Sequence, residues 1–166
     1  MKKYKKVLLV LLAVLLQTCI CPYIKIFNVM PDLLLVYVMY YSIKEKDAVR
    51  VMIFSGVMGL ITDCLSGLIQ GNFIAVYTVC AALMYIIGDT LFRTGIALNV
   101  IISFLIFIMG KSLFFVININ TLINAGYGYC FLMKILPESI LNSFLLLIAL
   151  LVAGRKERRT GGLLAK

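Results

Sequence analysis

The chain has 166 residues, of which 63% are hydrophobic and 14% charged, and its mean hydropathy is +1.09. This composition excludes a soluble globular domain, in which the apolar share is nearer half. The formal net charge of +9 would ordinarily suggest nucleic acid as a partner. Here the basic residues flank apolar runs instead of forming one face, so we expect membrane lipid and no nucleic acid.

Apolar segments of near-spanning length recur along the whole chain. A bilayer core of ~30 Å needs about 20 helical residues. We therefore predict an all-α membrane protein with six transmembrane helices in a single domain over residues 1–153. The spans are at about 6–24, 31–43, 51–68, 73–91, 95–117 and 131–153, and residues 154–166 form a basic cytoplasmic tail. The first span begins like a secretory signal, but no good cleavage site follows it.

The second predicted span is short and begins at a proline. Pro31 suits the first turn of a helix, because its φ is fixed and its missing N–H is not needed there. Asp32 then lies where a helix N-terminus favours negative charge. We expect Asp32 to mark a helix start near the membrane surface.

Span three carries small or acidic residues at four-residue intervals, which brings their side chains close to one helical ridge where another backbone can approach closely. The packing ridge consists of Ser55, Gly56, Gly59 and Asp63. It could hold the chain's own bundle together or receive a partner's helix. Gly67 and Gly71 fall at or past the end of this helix, where we expect them to shape the turn into span four.

Few ionisable residues lie inside the predicted spans, and each is a functional candidate because burial of charge is costly. Asp63, Lys111 and Glu138 lie at similar depths on spans three, five and six, which predicts an intramembrane polar cluster. Asp63–Lys111 is the favoured pair, and Glu138 could pair locally with Lys134. The alternative is that Lys111 extends towards the surface and never meets Asp63.

Two further charged residues are four apart at the end of span four. Asp89 and Arg93 fit a helix-end ion pair better than a catalytic site.

The orientation of the chain across the membrane follows from the positions of its basic residues. With both termini in the cytoplasm, all but three of the 16 basic residues are on the inside. The three outer ones are Lys25, Lys111 and Lys134.

Enzyme signatures are missing from the sequence. There is no histidine, and the five cysteines are scattered along apolar runs, so we expect no metal site. Asp63 and Asp89 belong to opposite halves of the bilayer, which excludes the shared-site carboxylate pair that aspartyl chemistry needs. We predict no catalytic residues and no cofactor.

The segments Pro31–Leu35 and Gly56–Gly71 resemble those of the MreD family, a membrane component of the bacterial rod-shape system. The resemblance implies a multi-pass, non-enzymatic scaffold of the bacterial cytoplasmic membrane that takes part in cell-wall elongation. It also implies binding to MreC, and action with MreB filaments, the RodA glycosyltransferase and a class B penicillin-binding protein. Nothing in it fixes the oligomeric state, so a homo-oligomer remains open.

The family's fold is similar to that of the six-helix substrate-binding subunits of energy-coupling-factor transporters. A small-molecule-binding transporter subunit is therefore the alternative function. Those subunits dock their partner through an Ala-x-x-x-Ala patch on the first helix. Ala13 is the only alanine of span one here, which argues against that docking.

Overall fold

The computed structural model describes residues 2–19, 23, 29–67, 71–91, 96–118 and 126–161. Their regular structure is helical, and the helices follow the apolar segments of the sequence. In chain order they are α1 (Lys2–Cys19), α2 (Leu33–Lys44), α3 (Ala48–Ser66), α4 (Asn72–Leu91), α5 (Ile96–Ile117), α6 (Tyr127–Cys130), a π-helical turn (Phe131–Ile135) and α7 (Leu136–Gly161).

Three helical runs among the described residues are long and apolar enough to cross a membrane. They are Ala48–Ser66, Leu98–Ile117 and Tyr127–Val152. The apolar helices Val10–Cys19, Leu33–Lys44 and Asn72–Ile87 are shorter. The predicted all-helical membrane protein is thus confirmed at the level of helices, whereas a count of six spans stays a prediction.

The short helix α2 lies at the centre of the bundle. It packs against α1, α3, α4 and α7, and its residues Leu34, Leu35, Val38 and Met39 are fully buried. Tyr77 of α4 is buried in the same core, as are residues of α5 and α7. A helix that is apolar on nearly all sides is expected at such a central position.

Helices α3 and α4 form an antiparallel hairpin whose closest approach is at Gly59. A Cβ atom added there would lie 2.6 Å from the Cα of Ile74, so only glycine lets the two backbones come this close. Gly67 caps α3 in the left-handed conformation with φ 63°, and Gly71 precedes α4 with φ 103°. The two glycines therefore shape the turn into α4, as the sequence predicts.

A π-helical turn precedes α7, where Pro137 occupies the second position. Proline cannot donate the N–H that a regular helix would use at that point. The N–H of Leu136 instead bonds to the carbonyl of Phe131, five residues earlier. Such π turns change which side chains share a face and occur frequently at functional sites.

Candidate functional site

A cavity of about 650 Å³ lies at one end of the bundle. The C-terminal ends of α1, α3 and α5 meet the N-terminal ends of α2 and α4 there, together with the π-helical turn and the start of α7. Its walls mix aromatic rings with hydroxyl, amide and charged groups. The lining residues are Gln17, Thr18, Val29, Met30, Asp32, Thr62, Leu65, Ser66, Phe73, Lys111, Phe114, Phe115, Lys134 and Glu138.

The side chains of Asp32, Lys111 and Glu138 are the least exposed ionisable groups of the lining, and we call this part of the cavity its floor. Asp32 links it to three helices. It caps α2 by accepting the N–H of Leu35 at 3.1 Å, and it accepts the hydroxyl of Tyr77 at 2.6 Å. Its own N–H donates to Oδ1 of Asn142 at 2.9 Å. One residue thus links α2 to α4 and α7, and Thr62 extends the network by donating to the Tyr77 hydroxyl at 3.2 Å.

Asp32 is buried within the bundle, with only 4% of its surface exposed, and its expected position near the membrane surface stays a prediction. The expected placement of Pro31 changes. The helix begins at Leu33 with Asp32 as its N-cap, so Pro31 precedes the cap instead of occupying the first turn.

Lys111 is buried between two carboxylates. Its Nζ lies 3.8 Å from Oδ2 of Asp32 and forms a closer ion pair with Glu138. The same ammonium group lies 5.9 Å from the ring centroids of Phe73 and Phe114. Of the predicted cluster of Asp63, Lys111 and Glu138, the last two residues are in contact. A buried lysine with two acidic partners is much less costly than an isolated one.

Asp63 is not the partner of Lys111, which corrects the favoured pairing predicted from the sequence. Its carboxylate accepts N–H groups of Gly71, Phe73 and Ile74 at 2.9, 3.0 and 3.3 Å. Gly71 directly precedes α4, and Phe73 and Ile74 lie in its first turn, where N–H groups have no partner inside the helix. A helix N-terminus also favours negative charge, so Asp63 fastens the end of α3 to the start of α4.

The residues of the packing ridge predicted on α3 lie in two different environments. Ser55, Gly59 and Asp63 are buried, and Gly59 contacts α4 directly. Gly56 differs, because a Cβ added there would have nothing within 4 Å. Three of the four ridge residues thus serve the chain's own bundle, and Gly56 lies on a more open side.

Two other predicted ion pairs have different outcomes. Lys134 and Glu138 do not pair, because Lys134 lies within the π-helical turn and its ammonium is 5.9 Å from the ring centroid of Phe115. The side chains of Asp89 and Arg93 lie outside the described residues, so that pair stays a prediction.

Four polar residues of the site were not singled out from the sequence: Gln17, Thr62, Tyr77 and Asn142. Gln17 accepts the N–H of Leu33 at 2.8 Å and so ties α1 to the start of α2. Gln17 and Asn142 each interrupt an apolar run, which is a signal that could have found them. Thr62 and Tyr77 carry no such signal, because both residue types are common in membrane helices.

The floor contains more acid than base. Among the residues that the structure describes, two carboxylates surround one buried ammonium group, and Lys134 is not paired with either of them. In the described part of the chain, no group of three His, Cys, Asp or Glu side chains could hold a metal ion. The arrangement is suited to fixing helices together and to receiving charged or hydrogen-bonding groups from the cavity.

A family model described as rod shape-determining protein MreD matches residues 4–153. The chain belongs to the MreD family. This makes it a rod shape-determining membrane protein, in a family defined by cell shape and not by a catalytic activity. The match covers every residue that lines the cavity, and the resemblance to the MreD family is thereby confirmed. No curated protein and no solved structure matches the chain.

Proposed function

We propose that this chain is a non-enzymatic scaffold of the bacterial cell-wall elongation complex, which binds MreC and helps to position or regulate peptidoglycan synthases. The family match over residues 4–153 is the observation that carries the proposal. RodA, a class B penicillin-binding protein and MreB are the further partners. The protein crosses the cytoplasmic membrane six times with both termini in the cytoplasm, in keeping with its basic loops and tail.

Helix α3 offers the surface on which to test partner binding. Val49, Ile53 and Val57 on its outer side are 65, 63 and 48% exposed. Gly56 lies beside them with open space around its Cα. In lipid, burying apolar area contributes little to helix association, and close packing of the helices contributes more. A glycine among exposed aliphatic residues is therefore the place where a single-span partner would pack best.

The experiment is co-purification of MreC with tagged protein from a rod-shaped host. We expect the wild type to bring down MreC, and Gly56→Leu to bring down much less. Gly128→Leu is the matched control, because Gly128 also has open space around its Cα but lies at the end of the bundle. Depletion of the protein should round the cells. Wild-type protein that brings down neither MreC nor RodA would contradict the scaffold role.

A second candidate function is a small-molecule-binding subunit of an energy-coupling-factor transporter. The cavity favours it, since about 650 Å³ falls within the range of ligand pockets. A transporter subunit should co-purify with an ATP-driven module, and its loss should cause a vitamin-dependent growth defect. Normal cell shape after depletion would favour this candidate over the scaffold.

A further inference from the structure

We propose that the cavity binds a zwitterion in which a primary ammonium group is joined to a phosphate, the chemistry of phosphoethanolamine. The ligand's ammonium group would lie on the cavity floor and its phosphate at the rim. This inference is independent of the scaffold role, because it rests on the charges that line the cavity and not on any protein partner.

The floor has a place for a cation. Among the described residues, Asp32 and Glu138 supply two carboxylates to the one buried ammonium of Lys111, and all three groups line the cavity. Their side chains are only 6, 14 and 10% exposed, so water compensates the excess negative charge poorly. A ligand ammonium with three N–H donors could bond to Glu138 and balance that charge. The rings of Phe73 and Phe114 beside Lys111 also favour a cation there.

The rim has a place for an anion. Lys134 lines the cavity and is exposed, and its ammonium group contacts the ring of Phe115. Among the described residues, no carboxylate lies within ion-pair distance of it. A phosphate is the anion that such a lysine binds well as a point charge. The hydroxyl groups of Thr18 and Ser66 line the same cavity, but they already donate to backbone carbonyls, of Val14 or Leu15 and of Asp63, so we assign the phosphate to Lys134.

Opposite charges at the floor and the rim select for a ligand that carries both. A simple anion would meet the excess negative charge of the floor, and a simple cation would leave Lys134 without a partner. The apolar part of the wall, with Leu65 and Met30 exposed near the rim, can accommodate the glycerol end of a lipid. The same headgroup could also arrive as a soluble molecule.

The test is isothermal titration calorimetry of the purified full chain in detergent. The probes are short-chain phosphatidylethanolamine, phosphatidylcholine, phosphatidylglycerol and free phosphoethanolamine. We expect one molecule of the ethanolamine lipid per chain. Binding of the choline lipid should be about tenfold weaker or worse because its quaternary nitrogen has no N–H to donate. The glycerol lipid should also bind more weakly, because it lacks the cation.

Variants assign the two ends of the ligand. Lys134→Gln should weaken ethanolamine lipid binding about tenfold through loss of a charge-assisted contact to phosphate. Lys46→Gln is the matched control, because Lys46 is an exposed lysine at the other end of the bundle, and it should leave affinity unchanged. Glu138→Gln should remove the preference for ethanolamine over choline. If that variant does not fold, the proposal is still tested by the effect of Lys134→Gln and by the relative affinities of the wild type for the three lipids.

Equal affinity for the three lipids would overturn the proposal, and so would equal effects of Lys134→Gln and Lys46→Gln. Binding of free phosphoethanolamine would identify a soluble zwitterion as the ligand. Binding of the lipid without the free headgroup would identify a membrane lipid. Both of these last results support the proposed chemistry, and neither depends on whether MreC co-purifies.

Discussion

Asp63 is the residue whose replacement should reveal most about how the bundle is held together. Its carboxylate accepts three N–H groups from the start of α4, two of them within 3.0 Å. Loss of a helix cap costs about 0.5–2 kcal/mol, and a hydrogen bond to a charged group contributes about 1.5–3 kcal/mol. The contributions are not additive, so we expect Asp63→Ala to lower the free energy of unfolding by about 2–4 kcal/mol.

Two further variants calibrate that value. Asp63→Asn keeps one acceptor oxygen but loses the charge, so it should lose about half as much stability as Asp63→Ala. Cys64→Ala is the matched control, because Cys64 is the exposed neighbour on the same helix. Its effect should stay within about 0.5 kcal/mol.

The assay is reversible unfolding of the detergent-solubilised protein with increasing mole fraction of sodium dodecyl sulfate, followed by circular dichroism. Hydrogen exchange adds a local measurement, since the amides of Phe73 and Ile74 should exchange faster in Asp63→Ala. The reasoning fails if Asp63→Ala loses no more stability than Cys64→Ala. It also fails if exchange at the start of α4 does not change.

Two other predictions use the same unfolding assay. Lys111→Met leaves buried carboxylates unpaired and should lower the free energy of unfolding by about 3–5 kcal/mol. The double variant with Glu138→Gln should differ from the sum of the two single losses by more than about 1 kcal/mol, because the two residues interact. The double variant with Asp63→Asn should lose the sum of the two single losses, because Lys111 and Asp63 are not partners. If the losses of Lys111→Met and Glu138→Gln simply add, the ion pair between Lys111 and Glu138 is refuted. Gly59→Ala places a Cβ atom against the backbone of α4 and should lower the free energy of unfolding by about 1–3 kcal/mol. Gly56→Ala has open space and should be neutral or stabilising by up to about 1 kcal/mol, so equal losses at the two glycines would contradict the close approach.

The helices could be predicted because they follow from properties that are local in the sequence. Apolar runs locate them, and Gly67 and Gly71 mark the turn between α3 and α4 because a left-handed backbone favours glycine. Asp32 as a helix start is local in the same sense, since an N-cap depends on the residues that follow it.

The partners of the buried charges could not be predicted in the same way. Distance along a helix gives the depth of Lys111 but not the direction in which its side chain points, so depth alone does not show that Glu138 and not Asp63 is its partner. Asp32 is missed as the second partner because the sequence predicts it at the membrane surface, away from Lys111. Lys134 was paired with Glu138 on regular helical spacing, which the π-helical turn alters.

Some polar contacts join residues that are close in the sequence, and others join residues far apart. This difference sets the order in which the helices can associate during synthesis. Asp63 bonds to Phe73 only 10 residues later, so the α3–α4 hairpin can close as soon as both helices leave the ribosome. Asp32 bonds to Asn142 across 110 residues, and Lys111 gains its closer acidic partner from the same last helix. During synthesis the Asp32 carboxylate therefore lacks its ammonium partner until α5 supplies Lys111, and the Asp32 N–H lacks its side-chain acceptor until α7 supplies Asn142. We expect a chain that stops before α7 to be held by insertion factors or degraded, whereas the hairpin should survive on its own.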